Sequence, residues 1–422
     1  MKKIALFFII FFFLNSAEAR AESISLTLQE AVSIALRDNR DILLQAEEVK
    51  RAKEGISQAK AALMPTLNFT GTWSDTRNFY AKDLAQTTTQ ATLKQYLYTG
   101  GRTINTIQQN KYKLQVSESL LDKEKLELVL DVSKAFYNLI LASDFAKVNK
   151  GILQNTLAHL EFIMERYASG ETAESDLINI KSSLASVEQV YAESLNQIKS
   201  NQELLNTLLY LDKAIEVTPL GEFRYEEREV AFDEAFLRAM KQRPEIRQFE
   251  AQSKADKKAV EIAKADTRPS IYASWDYYSR STSQLTFTPS KAWNDWNVVG
   301  LTFSWPVFDG FATKTKVQQA IIDLKATELT KEKTIRDIAQ ELKTAYLDLS
   351  TAIGKIKSTR SETDLYKDTL RKVQEKYNAG EASSLELDDA SLGYAVSLFN
   401  HKEAVYDYVL AKARFDKATG GL

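Results

Sequence analysis

Two similar stretches decide the fold: residues 28–65, LQEAVSIALRDNRDILLQAEEVKRAKEGISQAKAALMP, and residues 232–269, FDEAFLRAMKQRPEIRQFEAQSKADKKAVEIAKADTRP. They align without a gap, at the constant spacing that separates Pro65 from Pro269. The identical pairs include Glu30/Glu234, Ala31/Ala235, Ala35/Ala239, Ile42/Ile246, Lys50/Lys254, Ala59/Ala263 and Lys60/Lys264. A single repetition over about 200 residues indicates one tandem duplication, because solenoid repeats are far shorter.

The similarity continues beyond these stretches. Residues 98–100, Tyr-Thr-Gly, correspond to residues 308–310, Phe-Asp-Gly, and residues 166–171, RYASGE, correspond to residues 376–381, KYNAGE. Each half is predicted to run helix, strand, loop, strand, long helix, tip and long helix. We therefore expect a first structural repeat at 20–220, with a β-hairpin at 66–98 and a helical tip near 170–176, and a second at 221–422, with a hairpin at 270–308 and a tip near 380–389.

The chain begins with the features of a secretory signal. A positive start, Met1-Lys2-Lys3, precedes an unbroken apolar run from Ile4 to Leu14, which is too short to span a bilayer as a helix. The small-x-small pattern of a cleavage site follows and ends at Ala19, with a second option at Ala21. The sequence therefore predicts a signal peptide at residues 1–19, and we leave it out of the fold prediction.

The composition excludes several classes of chemistry. The 422 residues contain 55 Lys and Arg against 57 Asp and Glu, for a net charge of −2, with no Cys and two His. The absence of Cys excludes disulfides, thiolate catalysis and Cys-ligated zinc, and His159 and His401 are predicted to have surface or interhelical roles. The near-neutral charge argues against a nucleic-acid partner. We expect no cofactor, no metal and no enzymatic activity.

Four short segments alternate between apolar and polar residues, which is typical of β-strands with two different faces. After a helix predicted from Thr27 to Leu63, these segments are Thr66–Ser74, Ala91–Tyr98, Ile271–Tyr277 and Val299–Trp305, with polar loops predicted at Asp75–Gln86 and around Pro289. The pattern fits an outer-membrane barrel wall, although two hairpins packed on a soluble core would also explain it. Because about eight strands are needed to close a barrel, several chains must contribute, and three chains would supply twelve strands.

The remaining sequence predicts very long helices. No proline occurs in Gly101–Leu211 or Phe311–Leu422. A continuous helix between Gly101 and Gly170 would be on the order of 100 Å long, which suits a coiled-coil tube or rod. A heptad seam is predicted at Ile335, Ile338, Leu342, Ala345, Leu349, Ala352 and Ile356.

On these features the chain resembles the TolC family of outer-membrane efflux proteins. The resemblance rests on LTLQEAVSIAL at residues 26–36, the duplicated plan, the two Tyr-x-x-Gly tips and the Thr-Gly-Gly ending at residues 419–421. It implies a mainly α fold with a transmembrane β part and an internal two-fold repeat. Three chains would form a 12-stranded β-barrel continuous with a 12-helix periplasmic α-barrel, and Glu216–Arg224 would lie in a belt around the α-barrel.

The resemblance also implies a function. The chain would be the outer-membrane channel of a tripartite efflux or type I secretion system, a passive export duct with a long periplasmic extension and a gate at its periplasmic tip. Its partners would be two further copies in a homotrimer, outer-membrane lipid, a periplasmic adaptor (membrane fusion) protein, and an inner-membrane pump of the RND or ABC type. A soluble periplasmic coiled-coil chaperone or scaffold is the alternative that the long helices leave open.

The two tips are the candidate functional site. Gly170 and Gly380 are expected to end their helices in a left-handed conformation, and Ser175 and Asp176 could cap or support the start of the next helix. By resemblance, Gly170 and Gly380 would also form the tips on which the adaptor docks. Alternatively, the tips could simply be the turns that connect two helices, with no further role.

The resemblance assigns roles to other tip residues. Glu386 and Asp389 would form acidic rings at the pore aperture, where three carboxylates per ring favour cations. Tyr377 and Asp176 would form the latch that holds the closed state. Ala382 stands where the best-known member has a basic residue, so one ion pair between the hairpins would be missing.

Overall fold

A computed structural model describes residues 23–79, 82–212, 215–221, 225, 231–281 and 293–421. The predicted signal peptide, both of its cleavage options at Ala19 and Ala21, Arg224 of the predicted belt, and Pro289 lie outside the described residues. In the part of the chain that the structure describes, none of the helices carries an apolar stretch long enough to cross a membrane.

The described residues of the first half of the chain form three strands and four helices. These are β1 (Ser23–Thr27), α1 (Leu28–Asp38), α2 (Arg40–Ala61), β2 (Thr66–Phe79), β3 (Lys82–Thr99), α3 (Arg102–Ala168) and α4 (Glu174–Leu209). The second half has a similar order: β4 (Glu216–Leu220), α5 (Phe232–Gln242), α6 (Pro244–Lys264), a 3-10 turn (Ala265–Thr267), β5 (Ser270–Ser281), β6 (Trp293–Ser304), α7 (Ala312–Asn378) and α8 (Ser384–Thr419). Helices α3 and α7 both have 67 residues, and α4 and α8 both have 36.

The predicted continuous helix from Thr27 to Leu63 is wrong, because the helix breaks at Asn39. Thr27 caps α1 through a capping box, in which its hydroxyl and the carboxylate of Glu30 each accept from the other residue's backbone N–H. Asn39 adopts an extended conformation (ψ 129°), and its side-chain amide donates to the carbonyl of Leu208 at 3.2 Å. This contact is far away in sequence, which is why the local pattern did not reveal the break.

The same break occurs in the second half at Arg243. The following residue, Pro244, is the first residue of α6. Proline disfavours the helical conformation in the residue before it and fits the first position of a helix. Arg243 is accordingly extended, with ψ 127°, although the residues on both sides of it are helical.

Two sheets form. Strands β2, β3, β5 and β6 make a four-stranded antiparallel sheet in that order, and β1 pairs with β4 in parallel. In the larger sheet Leu67 lies opposite Leu93, Leu93 opposite Trp275, and Trp275 opposite Val299. The alternating segments predicted from sequence are therefore strands, and their apolar residues line up across all four of them. Trp305 lies one residue beyond the end of β6.

The predicted loop at Asp75–Gln86 is largely wrong. Strand β2 continues to Phe79 and β3 begins at Lys82, with Asp75 opposite Ala85 and Thr72 opposite Thr88. The segment is polar but contains no Gly or Pro, which are the residues that break strands, and its Thr76 and Phe79 are of residue types that favour extended backbone. The polarity of this segment was therefore not sufficient evidence for a loop.

The chain divides into two compact units. The first comprises Met1–Asn39, Leu128–Glu227 and Leu349–Ala413, and the second comprises Arg40–Glu127, Arg228–Asp348 and Arg414–Leu422. The first contains both helical tips and the small parallel sheet, and the second contains the large sheet. The residues of the predicted heptad seam that are buried are Ile338, Leu342, Ala345, Leu349, Ala352 and Ile356.

Candidate functional site

The first tip is a tight turn built on glycine. After the last residue of α3, Gly170 takes a positive φ of 76°. The N–H of Gly170 donates to the carbonyl of Tyr167 at 3.1 Å, and the N–H of Glu171 donates to that of Arg166 at 2.8 Å. This pair of bonds is a Schellman motif, which satisfies carbonyls that the helix end leaves without partners. The side chains of Arg166 and Glu171 add an ion pair at 3.3 Å.

The second tip repeats this turn. Gly380 has φ 77°, its N–H donates to the carbonyl of Tyr377 at 3.0 Å, and the N–H of Glu381 donates to that of Lys376 at 2.9 Å. Among the described residues, no atom lies within 4 Å of a Cβ atom built on either tip glycine. Glycine is therefore needed at Gly170 and Gly380 for backbone conformation, and the space around each of them is open within the chain.

The two tips differ in how the next helix begins. Ser383 caps α8: its hydroxyl accepts from the N–H of Glu386 at 3.2 Å, and its own N–H donates to the Glu386 carboxylate at 2.7 Å. Helix α4 has Ala173 at the same position and no side-chain cap. Neither Ser175 nor Asp176 is the N-cap of α4, so the predicted cap is wrong, whereas Asp176 lies in the first turn, where its negative charge supports the helix start as predicted.

The acidic residues of the second tip have different surroundings. Glu386 and Asp389 are exposed and lie three residues apart on α8, so they share a helix face. The backbone N–H of Ser383 and then its hydroxyl hold the pKa of Glu386 below its ordinary value. Burial raises the pKa of the neighbouring Asp388, and the nearby His159 partly offsets that rise. The sequence prediction missed Asp388, although it is adjacent to Asp389.

The two predicted latch residues lie at opposite ends of different helices. Tyr377 is in the last turn of α7 and Asp176 in the first turn of α4, and both side chains are exposed. Ala382 lies in the turn between α7 and α8. The capping box was the feature that sequence reasoning could have found, because Ser383 and Glu386 form the S-x-x-E signature.

The large sheet has two chemically different faces. Five residues of the apolar face are strongly exposed in the single chain: Leu67, Phe69, Val299, Leu301 and Phe303. The opposite face is polar: the Asp276 carboxylate accepts from Thr92 at 2.6 Å and from Gln90 at 3.2 Å. On the same face the Lys94 ammonium lies 3.8 Å from the ring centre of Tyr272.

Among the residues that the structure describes, no cluster of three or more His, Asp or Glu side chains could hold a metal ion. His401 contacts the hydroxyl of Thr359 through Nδ1 at 3.2 Å, which joins α8 to α7. The tips are a pair of closely matched helix turns, and both carry acidic side chains, with Glu171 and Asp176 at the first and Glu386 and Asp389 at the second.

Comparison with known proteins identifies the class of protein that carries this fold. The sequence profile of the outer membrane efflux protein family matches residues 31–209 and 237–421. The alkaline protease secretion protein AprF of Pseudomonas aeruginosa is 22% identical in an alignment 416 residues long, which covers 94% of this chain and 84% of that protein. The outer membrane protein TolC of Escherichia coli is 22% identical over 433 residues, covering 96% of this chain and 84% of TolC.

A solved structure has the same fold. The Campylobacter jejuni CmeC outer membrane channel superposes with a TM-score of 0.80 at 17% identity, over 93% of this chain and 85% of that one. The chain belongs to the outer membrane efflux protein family, and the outer membrane is its cellular location. The resemblance to the TolC family is confirmed, and it separates the chain from the soluble chaperone or scaffold that the long helices alone left open.

Proposed function

We propose that three copies of this chain form a passive export duct across the outer membrane. Each copy would contribute its four-stranded sheet to a twelve-stranded barrel and its four long helices to a twelve-helix periplasmic tube. The duct would serve a tripartite efflux or type I secretion system. In this account the two halves of the chain arose by duplication and play equivalent roles in the wall.

The observation that carries the proposal is the division of the large sheet into an apolar and a polar face. Val299 is 82% exposed and Phe69 76% exposed in the single chain, and such an apolar sheet face needs to be covered. Lipid covers the outward face of an outer-membrane barrel, and the polar face then meets the aqueous interior. Because four strands cannot close a barrel, the proposal requires further copies.

The periplasmic tips would form the gate. The exposed carboxylates of Glu386 and Asp389 would each be repeated three times around the pore axis and would favour cations at the constriction. Tyr377 and Asp176 would hold the hairpins in the closed arrangement. Since Ala382 has no charge, the closed state would lack one ion pair between hairpins.

The duct would depend on partners for energy and cargo. The open space around Gly170 and Gly380 supports close approach of an adaptor protein to the tips. An inner-membrane pump of the RND or ABC type would supply the driving force. The secretion role in the name of AprF and the efflux role in the name of the family are both compatible with such a duct.

The experiment that tests the gate is the ion selectivity of the purified protein in planar bilayers under a salt gradient. We expect a cation-selective channel whose reversal potential moves toward zero in the Glu386→Gln, Asp389→Asn double variant. Asp368→Asn with Glu375→Gln is the matched control, because it removes two exposed charges from α7. A reversal potential that is unchanged in the first variant, or equally changed in both, would reject the acidic aperture.

A further inference from the structure

A groove in the first unit is lined by charged and apolar side chains that have no part in the proposed export role. Its main cavity has a volume of about 690 Å³ and lies between α3, the end of strand β4 and α8. The apolar part of its lining includes Ile140, Pro219 and Val405. A second cavity of about 390 Å³ lies between α3 and α8 and shares Asp144, Lys147 and Lys402 with the first. The two cavities therefore adjoin at a charged group of three side chains.

This charged group has a surplus of positive charge. The ammonium of Lys402 lies 2.8 Å from one carboxylate oxygen of Asp144, and that of Lys147 lies 3.1 Å from the other. Burial by itself would raise the pKa of Asp144, but the hydrogen bonds and charges of the two lysines outweigh it and hold the pKa below its usual value. One carboxylate is thus shared between two ammonium groups, which leaves one positive charge without a counter-charge among the three.

The neighbouring histidine does not add to this charge. His401 lines the main cavity, and burial, followed by the charge of Arg360, lowers its pKa. The imidazole is therefore neutral near pH 7. The surplus charge belongs to the two lysines, since the side chains of Lys402 and Lys147 are 44% and 76% exposed, whereas the Asp144 side chain is only 14% exposed.

The second cavity is mainly apolar. Its lining includes Val148 and Ile152 from α3 and Leu392, Leu398 and Phe399 from α8. The ring of Phe399 packs against that of Phe145 with 5.0 Å between centroids, so this wall is supported from behind by a second aromatic side chain. An extended apolar group in this cavity would have the lysines at one end.

We propose that the two adjoining cavities bind a single-chain acyl carboxylate. The carboxylate lies between Lys147 and Lys402, and the acyl chain follows Val148, Ile152 and Leu392. Charge-assisted hydrogen bonds from ammonium groups are among the strongest in proteins, and mainly apolar pockets with a few polar groups are typical small-molecule sites. An inorganic anion would leave the apolar wall unused, and a neutral hydrocarbon would leave the surplus charge unused.

The test is a binding titration of a fluorescent acyl carboxylate, 11-(dansylamino)undecanoic acid, to the full-length protein in phosphatidylcholine nanodiscs at pH 7. Nanodiscs without protein give the baseline for partition into lipid. We expect saturable binding that weakens about tenfold in Lys402→Gln and in Lys147→Gln, because each loses a charge-assisted hydrogen bond. Asp144→Asn should bind more tightly, because both ammonium groups lose their internal counter-charge.

Lys355→Gln is the matched control. Lys355 is also ion-paired, at 2.7 Å from Asp407, but it lines neither cavity, so its loss should leave the affinity unchanged. A purely structural role for the charged group would make Asp144→Asn and Lys402→Gln shift the affinity in the same direction, which would overturn the proposal. So would equal binding of the methyl ester of the probe, or no binding above the baseline. The assay measures no transport, so the proposed duct stands or falls independently of it.

Discussion

The guanidinium of Arg243 donates to the carboxylate of Glu341, 98 residues further along the chain, at 2.8 Å. The same guanidinium also donates to Glu245 at 3.0 Å and to the carbonyl of Lys417 at 3.3 Å. The Arg243 side chain is only 5% exposed. One buried charge therefore ties the break between α5 and α6 to α7 and to the end of α8.

Replacing Arg243 by Met should destabilise the protein strongly. Glu245, whose side chain is 14% exposed, would keep its charge without its partner, and breaking such a buried pair costs about 3–5 kcal/mol. The matched control is Arg247→Met, which breaks an exposed pair with Asp122 and should cost about 1 kcal/mol or less. Thermal unfolding in detergent checks this, and midpoints lowered equally by the two substitutions would contradict it.

Gly100 and Gly310 allow the cost of a left-handed backbone conformation to be measured separately from the cost of a steric clash with neighbouring atoms. Both have nearly the same positive φ, 65° and 67°. A Cβ atom on Gly100 would lie 2.8 Å from the carbonyl oxygen of Ala265, whereas one on Gly310 would meet nothing within 4 Å. Alanine should cost about 1–2 kcal/mol at either position through the left-handed conformation, and clearly more at Gly100. The thermal midpoint should therefore fall further in Gly100→Ala, and equal midpoints would show that the neighbouring backbone moves away freely.

The cap of α8 should depend on pH. The pKa of Glu386 is lowered in the folded protein from an ordinary value of 4.5. Its contribution to stability is therefore complete above about pH 4.5 and is lost as the pH falls through the lower folded value. Ser383→Ala should reduce hydrogen-exchange protection in the first turns of α8 about fivefold at pH 7, which corresponds to about 1 kcal/mol for a lost N-cap.

When the pH is lowered until Glu386 is protonated, the difference between Ser383→Ala and the unaltered protein should become smaller, because the Ser383 hydroxyl donates to the Glu386 carboxylate at 3.1 Å and this hydrogen bond weakens when the acceptor loses its charge. Ser175→Ala serves as the control, since Ser175 lies within α4 and caps nothing. An effect of Ser383→Ala that is the same size at both pH values would contradict the role given to the carboxylate.

The proposed latch predicts a leakier closed channel when either partner is changed. Tyr377→Phe removes a hydroxyl and Asp176→Asn removes a charge, and each should raise the single-channel conductance in planar bilayers. Tyr366→Phe tests for an unspecific effect, because Tyr366 is also an exposed tyrosine of α7 but packs near Gly393 and lies outside the tip. Conductance that stays unchanged in both latch variants would remove Tyr377 and Asp176 from the gate.

The sequence predicted those parts of the fold that follow from local periodicity. Alternation at Leu67 and Trp275 indicated strands, and proline-free segments indicated helices α3 and α7. The break at Asn39 and the pairing of β1 with β4 depend on partners far away in sequence, so no local pattern contained them. The sequence placed Glu386 at the tip. The S-x-x-E signature formed by Ser383 and Glu386 also predicts the capping box at the start of α8, a role that the acidic pattern alone does not indicate.

The number of chains in one channel tests the central claim most directly. Native mass spectrometry of the full protein, extracted from outer membranes in detergent, should give the mass of three chains. It should give the same result for the conductive species recovered from planar-bilayer preparations. A single-chain mass, or protein that remains monodisperse in buffer without any detergent, would contradict the account.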